Sequence, residues 1–162
     1  IPETQLLAKK PVIYLLNADF KEVPREVLAK IKNLGGVVAV ANLKDELEMQ
    51  SLSEEEKKEF GFISHLPELI TKAYEILDLI TFFTTGLDET RAWTIKRGST
   101  APQAGGAIHS DFEKNFIKAE VIQWKKLLEA GGWGEAAARG WLRQEGREYV
   151  VQDGDVIEIK HG

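Results

Sequence analysis

Two apolar runs on either side of a helical segment limit what the first half of this chain can become. "PVIYLLN" (11–17) is rich in β-formers and ends on a polar residue, and "VVAVA" (37–41) is apolar throughout. Between them, "PREVLAKIKNLGG" (24–36) opens on proline, places Val27, Leu28 and Ile31 at helical spacing and closes on two glycines. The three segments predict a buried strand, a helix and a second buried strand. Such a βαβ unit implies parallel strands in a sheet covered on both faces. Two strands cannot cover both faces of themselves, so the unit reads as a piece of a larger α/β sheet.

The pattern continues as helix and then changes. Ser53 stands three residues before Glu56 in "SEEEKKEF", the spacing of a capping box. "LPELITKAYEILDL" (66–79) repeats apolar residues along one helical face. From residue 79 onward β-rich runs dominate. "LITFFTTG" and "RAWTIKRG" predict a hairpin joined by Leu87-Asp88-Glu89-Thr90. "GSTAPQAGGAIHSDFEKNF" (98–116) reads as a crossover into a helix capped by Ser110, its glycines allowing sharp turns and close approach to the sheet. "FIKAEVIQW" (116–124) alternates like a half-exposed strand, and "KKLLEAGG" and "GEAAARGWLRQ" read as short helices. "EYVVQDGDVIEIK" (148–160) predicts two short strands around Asp153-Gly154. A boundary is expected near residue 78, with an α/β piece over 1–78 and a small α+β domain over 79–162.

Composition removes several function classes. The 162 residues contain no cysteine, so disulfides and thiolate metal sites are excluded. The three histidines, His65, His109 and His161, lack metal-ligand spacing. The net charge of -5 is no nucleic-acid glove, and any RNA contact would use a local patch such as Lys96-Arg97 or Lys125-Lys126. Those pairs equally suit an ordinary solvated surface. No apolar run approaches the roughly 20 residues of a membrane span, and the first residues carry no secretory pattern, so a cytoplasmic setting is expected.

The motifs are as telling for what they omit. G-x-x-x-x-G-K-[ST] does not occur, and none of the seven aspartates has glycine three residues on. The phosphate-handling half of a GTPase-type site is therefore not written in these residues. His109, Ser110 and Asp111 are sequence neighbours, whereas a catalytic triad converges from separate segments, so they read as helix capping. Trp93 reads as core more readily than as a base-stacking platform. Asn17, at a strand end, reads by its own chemistry as a turn residue.

"KPVIYLLN", "SLSEEE", "FFTTGLDETRAWTIKRGSTAPQAGGAIHSDFEKNFIKAEVI" and "QDGDVIEI" together resemble the YchF / Obg-like ATPase family, from about Leu6 to Gly162. The resemblance implies the end of a P-loop NTPase G-domain, lacking its P-loop, followed by a TGS domain, a ubiquitin-like β-grasp. It implies that the chain begins after the family's coiled-coil insertion, with that coiled coil and the upstream nucleotide-binding segment as its partners in the complete protein. ATP or GTP with Mg2+ would bind and be hydrolysed there. This chain alone is expected to be inactive and to bind no nucleotide tightly.

The family's base-reading N-x-x-E falls on Asn17-Ala18-Asp19-Phe20, where Phe20 departs from the pattern and Asp19 and Glu22 are nearby carboxylates that could replace the glutamate. The second base loop falls on Asn42-Leu43-Lys44, again departing from the family's small residue. Family members associate with ribosomes, which makes ribosome or RNA the implied partner and Lys96, Arg97, His109, Lys125 and Lys126 the candidate surface. Three roles stay open: an interaction module, part of an ATPase, or a structural β-grasp module without nucleotide activity.

Overall fold

The computed structural model describes residues 10–19, 22–86 and 89–162, so Phe20 and the Leu87-Asp88 part of the hairpin loop lie outside the described residues. The chain divides into two compact units, Ile1–Leu77 and Asp78–Gly162. Among the described residues no helix is long and apolar enough to cross a membrane.

Unit 1 runs β1 (Ile13–Asn17), α1 (Arg25–Asn33), β2 (Val37–Ala41), α2 (Leu43–Met49), α3 (Glu54–Glu59) and α4 (Leu66–Ile76). β1 and β2 pair in parallel from Ile13↔Val37 to Asn17↔Ala41, as the βαβ pattern predicts. Pro24 sets the extended entry to α1, and Gly35, at φ 73, takes the left-handed turn after it. Gly36 is required by packing, since a Cβ there would fall 2.3 Å from Cε2 of Tyr14. Ser53 and Glu56 close the expected capping box on α3.

β2 carries the burial, with Ala39, Val40 and Ala41 all inside and α1 and α4 packed on it. Lys72 of α4 donates to the Val38 carbonyl at 2.6 Å. β1 corrects an expectation: it was read as buried, yet Leu15 is 37% exposed and Val12, just before it, 42%. The two-stranded sheet has no further strand or helix to cover that side of β1 among the described residues.

Unit 2 runs β3 (Leu79–Thr85), β4 (Thr90–Lys96), α5 (Ala101–Ile108), α6 (Ser110–Lys114), β5 (Phe116–Gln123), α7 (Trp124–Ala130), α8 (Trp133–Ala138), β6 (Arg143–Glu145) and β7 (Asp155–His161). Its five strands lie in the order β4-β3-β7-β5-β6. Only β3 and β7 pair in parallel. Side chains alternate between the two faces. Ile80, Phe82, Val121 and Ile157 face α5, where Ala101 and Ala104 let the helix sit close. Phe83, Ile122 and Val156 face the other way, under Leu127, Ala130, Trp133 and Ala136 of α7 and α8. Trp93 packs from the edge strand onto the first of these clusters, donates Nε1–H to Thr84 Oγ1 at 2.9 Å and is covered by Arg91.

Four readings need correction here. β5 is an interior strand between β7 and β6, so Val121 and Ile122 are both buried and the half-exposed alternation fails. The hairpin around Asp153-Gly154 does not form: β7 has β3 on one edge and β5 on the other, leaving no edge for residues 148–152. They contribute one bridge, Val150 to Thr100, while Asp153 Oδ1 and the Gly154 N–H bond the backbone of Thr81. The segment read as helical through Gln144 stops at Gly140, φ 67, and Arg143–Glu145 becomes a strand. Ser110 is the first residue of α6, not its cap. His109 holds the extended cap position, and its Nδ1 accepts from the Asp111 N–H at 3.2 Å. Gly105 and Gly106 lie within α5, and what they admit closely is Phe112 and Glu113 of α6.

Asp155 opens β7 and is fully buried. Its Oδ1 accepts from Gln123 Nε2 at 2.8 Å, and its Oδ2 accepts from the Tyr149 hydroxyl at 2.7 Å and the Gln152 N–H at 2.9 Å. Arg143 reaches the cluster from β6, with Nη2 2.9 Å from the Tyr149 oxygen and 3.6 Å from Oδ1. One carboxylate thereby helps fix the irregular segment between β6 and β7, whose backbone pairing centres on the Val150–Thr100 bridge and its bonds to Ser99 and Ala101.

Candidate functional site

The parallel register places the ends of β1 and β2 side by side, and the loops that leave them carry Asn17, Ala18, Asn42 and Leu43 together. The carboxyl end of parallel strands is where open α/β sheets bind ligands, because adjacent loops diverge there and leave a crevice. Asn17 Oδ1 accepts from the Leu43 N–H at 3.0 Å, which locks one loop to the other. Asn42 caps α2, its Oδ1 accepting from the N–H groups of Lys44 and Asp45 at 3.2 Å each. The Asn42 Nδ2 donates to Asp19 Oδ1 at 3.3 Å. Ala18 is half-buried and its N–H turns back to the Leu16 carbonyl at 3.1 Å.

A cavity of about 510 Å³ adjoins these loops, lined among the described residues by Ala18, Asp19, Glu22, Asn42, Asp45 and His65 among others. Glu46 also faces it but is engaged, accepting from Ser64 Oγ at 2.8 Å and from the His65 N–H at 2.6 Å. That pair of bonds ties α2 to the start of α4. The cavity thus offers carboxylate acceptors, while Asn17 and Leu43 stand beside it and not in its lining; the Asn17 Nδ2 donors have no partner among the described residues. Such a set can hydrogen-bond the edge of a polar heterocycle. α2 and the role of Glu46 were not read from sequence, although Asn42 before Asp45 and Glu46 is a helix-start signature.

The basic candidates of unit 2 are not brought into one patch. Arg97, at the end of β4, pairs with Asp78 at 3.0 Å, and Lys96 is exposed beside it. His109 joins α5 to α6, its Nδ1 3.6 Å from Asp111 Oδ2 and its ring 5.9 Å from that of Phe112. Lys125 and Lys126 ride on α7, on the opposite sheet face from α5, with Lys125 Nζ 5.5 Å above the Trp124 ring.

A family model, YchF-GTPase_C, described as a protein of unknown function (DUF933), matches residues 79–162. The ribosome-binding ATPase YchF of Bacillus subtilis is 42% identical over 99% of this chain and 47% of its own length. Human Obg-like ATPase 1 is 42% identical over 95% of this chain and 42% of its own. The solved Schizosaccharomyces pombe YchF GTPase superposes with a TM-score of 0.78 at 36% identity, over 93% of this chain and 43% of that one. A Pyrococcus horikoshii GTP binding protein shares the fold at TM-score 0.67 and 19% identity, over 94% of this chain and 46% of that one. The chain spans less than half the length of these relatives. The match across 79–162, with relatives named YchF and Obg-like ATPase 1 aligned along nearly the whole chain at 42% identity, establishes that the chain belongs to the YchF / Obg-like ATPase family.

Proposed function

We propose that this chain is the C-terminal part of a nucleotide-binding protein, with unit 1 supplying the base-contacting end of the site and unit 2 acting as a TGS, β-grasp module that contacts the ribosome. The observation that carries the first half is the lock between Asn17 and Leu43 at the ends of two adjacent parallel strands. Asn17, Ala18, Asn42 and Leu43 would hold the purine, the Asn17 Nδ2 donating to a ring nitrogen and the loop backbones enclosing the base. Bound ATP or GTP with Mg2+ would supply the phosphoryl group for hydrolysis in the complete protein. The residues of this chain fit the base end only, because the sequence carries neither a phosphate loop with its lysine nor D-x-x-G. Its share of the work is binding and orientation.

The second half is supported by the name of the Bacillus relative and by the sheet order β4-β3-β7-β5-β6 with one long crossover through α5 and α6. Lys96, Arg97, His109, Lys125 and Lys126 are the residues proposed to meet ribosomal RNA, with the exposed Lys125-Lys126 pair on α7 foremost. Co-sedimentation of the chain with ribosomes tests this. Binding is expected at low salt and is expected to fall steeply between about 50 and 200 mM, because phosphate contacts release counterions. Lys125→Glu with Lys126→Glu should reduce it further. Absence of the chain from the ribosome pellet at 50 mM salt would count against the reading.

A further inference from the structure

The cavity beside the two strand-end loops has a second side, which those loops do not supply. The segment between α3 and α4 gives it Gly61, Phe62, Ile63 and His65. Residues 62–65 have no regular secondary structure, so side chains must hold them in place. Glu46 does so. It is 8% exposed and stands one turn after Asn42 on α2. Its carboxylate accepts from the His65 N–H at 2.6 Å and from Ser64 Oγ at 2.8 Å. Ser64 Oγ accepts in turn from the Leu66 N–H at 3.3 Å, at the start of α4. Phe62 is half-buried and also borders a neighbouring cavity of about 330 Å³ with Leu43, Leu47 and Leu66. Ile63, by contrast, is 75% exposed.

The lining discriminates between the parts of a nucleotide. Ala18, Val40, Phe62 and Ile63 give it apolar surface, and Asp19, Glu22 and Asp45 give it acceptors. Lysine and arginine are absent from it among the described residues. Such a wall repels phosphate, because like charges gain no compensating cation there. It matches a purine, whose faces are apolar and whose edge carries N–H donors. A base that meets the loops with its edge still needs its face covered, since a face left in water forfeits its share of apolar burial. Ile63 is the exposed apolar side chain in the lining that is open to do this.

We infer that Ile63 covers the face of the bound base and that Glu46 is the positioning residue that holds it there through Ser64 and His65, which rests on residues 17–19 and 42–44 being the base-contacting loops. One short helix thereby fixes both sides of the cavity. Asn42 caps α2 on the loop side, and Glu46, four residues on, ties the same helix to the opposite wall.

The test adds ATP, and separately GTP, to the chain labelled at backbone amides and isoleucine methyl groups. Whichever nucleotide shifts residues 17–19 and 42–44 should also shift residues 61–65 and the Ile63 methyls along the same saturation curve. Ile63→Ala should weaken that binding about fivefold, the ratio for losing part of one isoleucine contact. Ile63 projects into solvent, so this variant should melt at the temperature of the parent. Glu46→Ala should weaken binding comparably. Glu46→Gln should keep it, because an amide there can accept from the His65 N–H and donate to Ser64 Oγ. The inference alone is overturned if the two loops shift while residues 61–65 stay still, if Ile63→Ala or Glu46→Ala binds as the parent does, or if Glu46→Gln loses as much as Glu46→Ala. If neither nucleotide shifts the two loops, the base-contacting assignment falls and the inference with it.

Discussion

Asp155→Ala is expected to destabilise unit 2 by about 3–4 kcal/mol. The fully buried carboxylate accepts from Gln123, Tyr149 and the Gln152 N–H. Its removal leaves those donors facing an apolar gap, and each unsatisfied buried group costs about 1–3 kcal/mol. For a unit of this size that is a fall in Tm of more than about 12 °C. All four tryptophans, Trp93, Trp124, Trp133 and Trp141, lie in unit 2, so fluorescence-detected urea unfolding reports on it selectively. A loss below about 1 kcal/mol would show that the carboxylate does not organise the segment between β6 and β7. The same cluster gives a pH signature. Burial, and then the hydrogen bond to Asp155, push the Tyr149 hydroxyl from 10.0 up to about 12. The folded state therefore holds the phenol proton more tightly than the unfolded state. Its stabilising effect is complete below about pH 10 and is lost as pH rises toward about 12. Tyr149→Phe should remove that part of the alkaline decline and leave the rest.

Phe82→Ala is expected to cost about 3–5 kcal/mol, because the ring is completely buried between the sheet and α5 and the alanine leaves a cavity there. The neighbouring Phe83 points to the opposite face and is only half-buried there. Phe83→Ala should therefore cost clearly less under the same urea titration. Equal losses for the two would contradict the assignment of faces on β3.

The elements legible in the sequence were those whose pattern is local. Pro24 and Gly35 bracket α1, Ser53 and Glu56 close a box on α3, and the Val37–Ala41 run gives a strand without any partner being known. What escaped depends on neighbours distant in the chain. Whether β1 is covered, or β5 interior, is decided by which strands lie beside them, and alternation along one strand carries no such information. The apparent hairpin at Asp153-Gly154 failed for the same reason, since the sheet had already claimed both edges of β7. At His109 and Ser110 two residues both suited to a helix start stood side by side, and only the backbone dihedrals assign the cap. For the candidate site, the parallel pairing of β1 and β2 was legible and brings Asn17 to Leu43. The bonds from Asn42 to Asp19 and from Glu46 to Ser64 and His65 were not, because they join residues 18 to 23 positions apart through side chains.

Residues 17–19 and 42–44 are proposed to form the base-contacting end of a nucleotide site, with no phosphate loop or D-x-x-G in the 162 residues. An ATP titration of the isotopically labelled chain, followed by backbone amide chemical shifts, tests it directly. Shifts are expected only in those two loops and the cavity beside them, saturating only in the millimolar range, near -4 kcal/mol at about 1 mM. They should vanish in Asn17→Ala. Micromolar saturation, shifts centred elsewhere in the chain, or no shifts at all at these loops would contradict it.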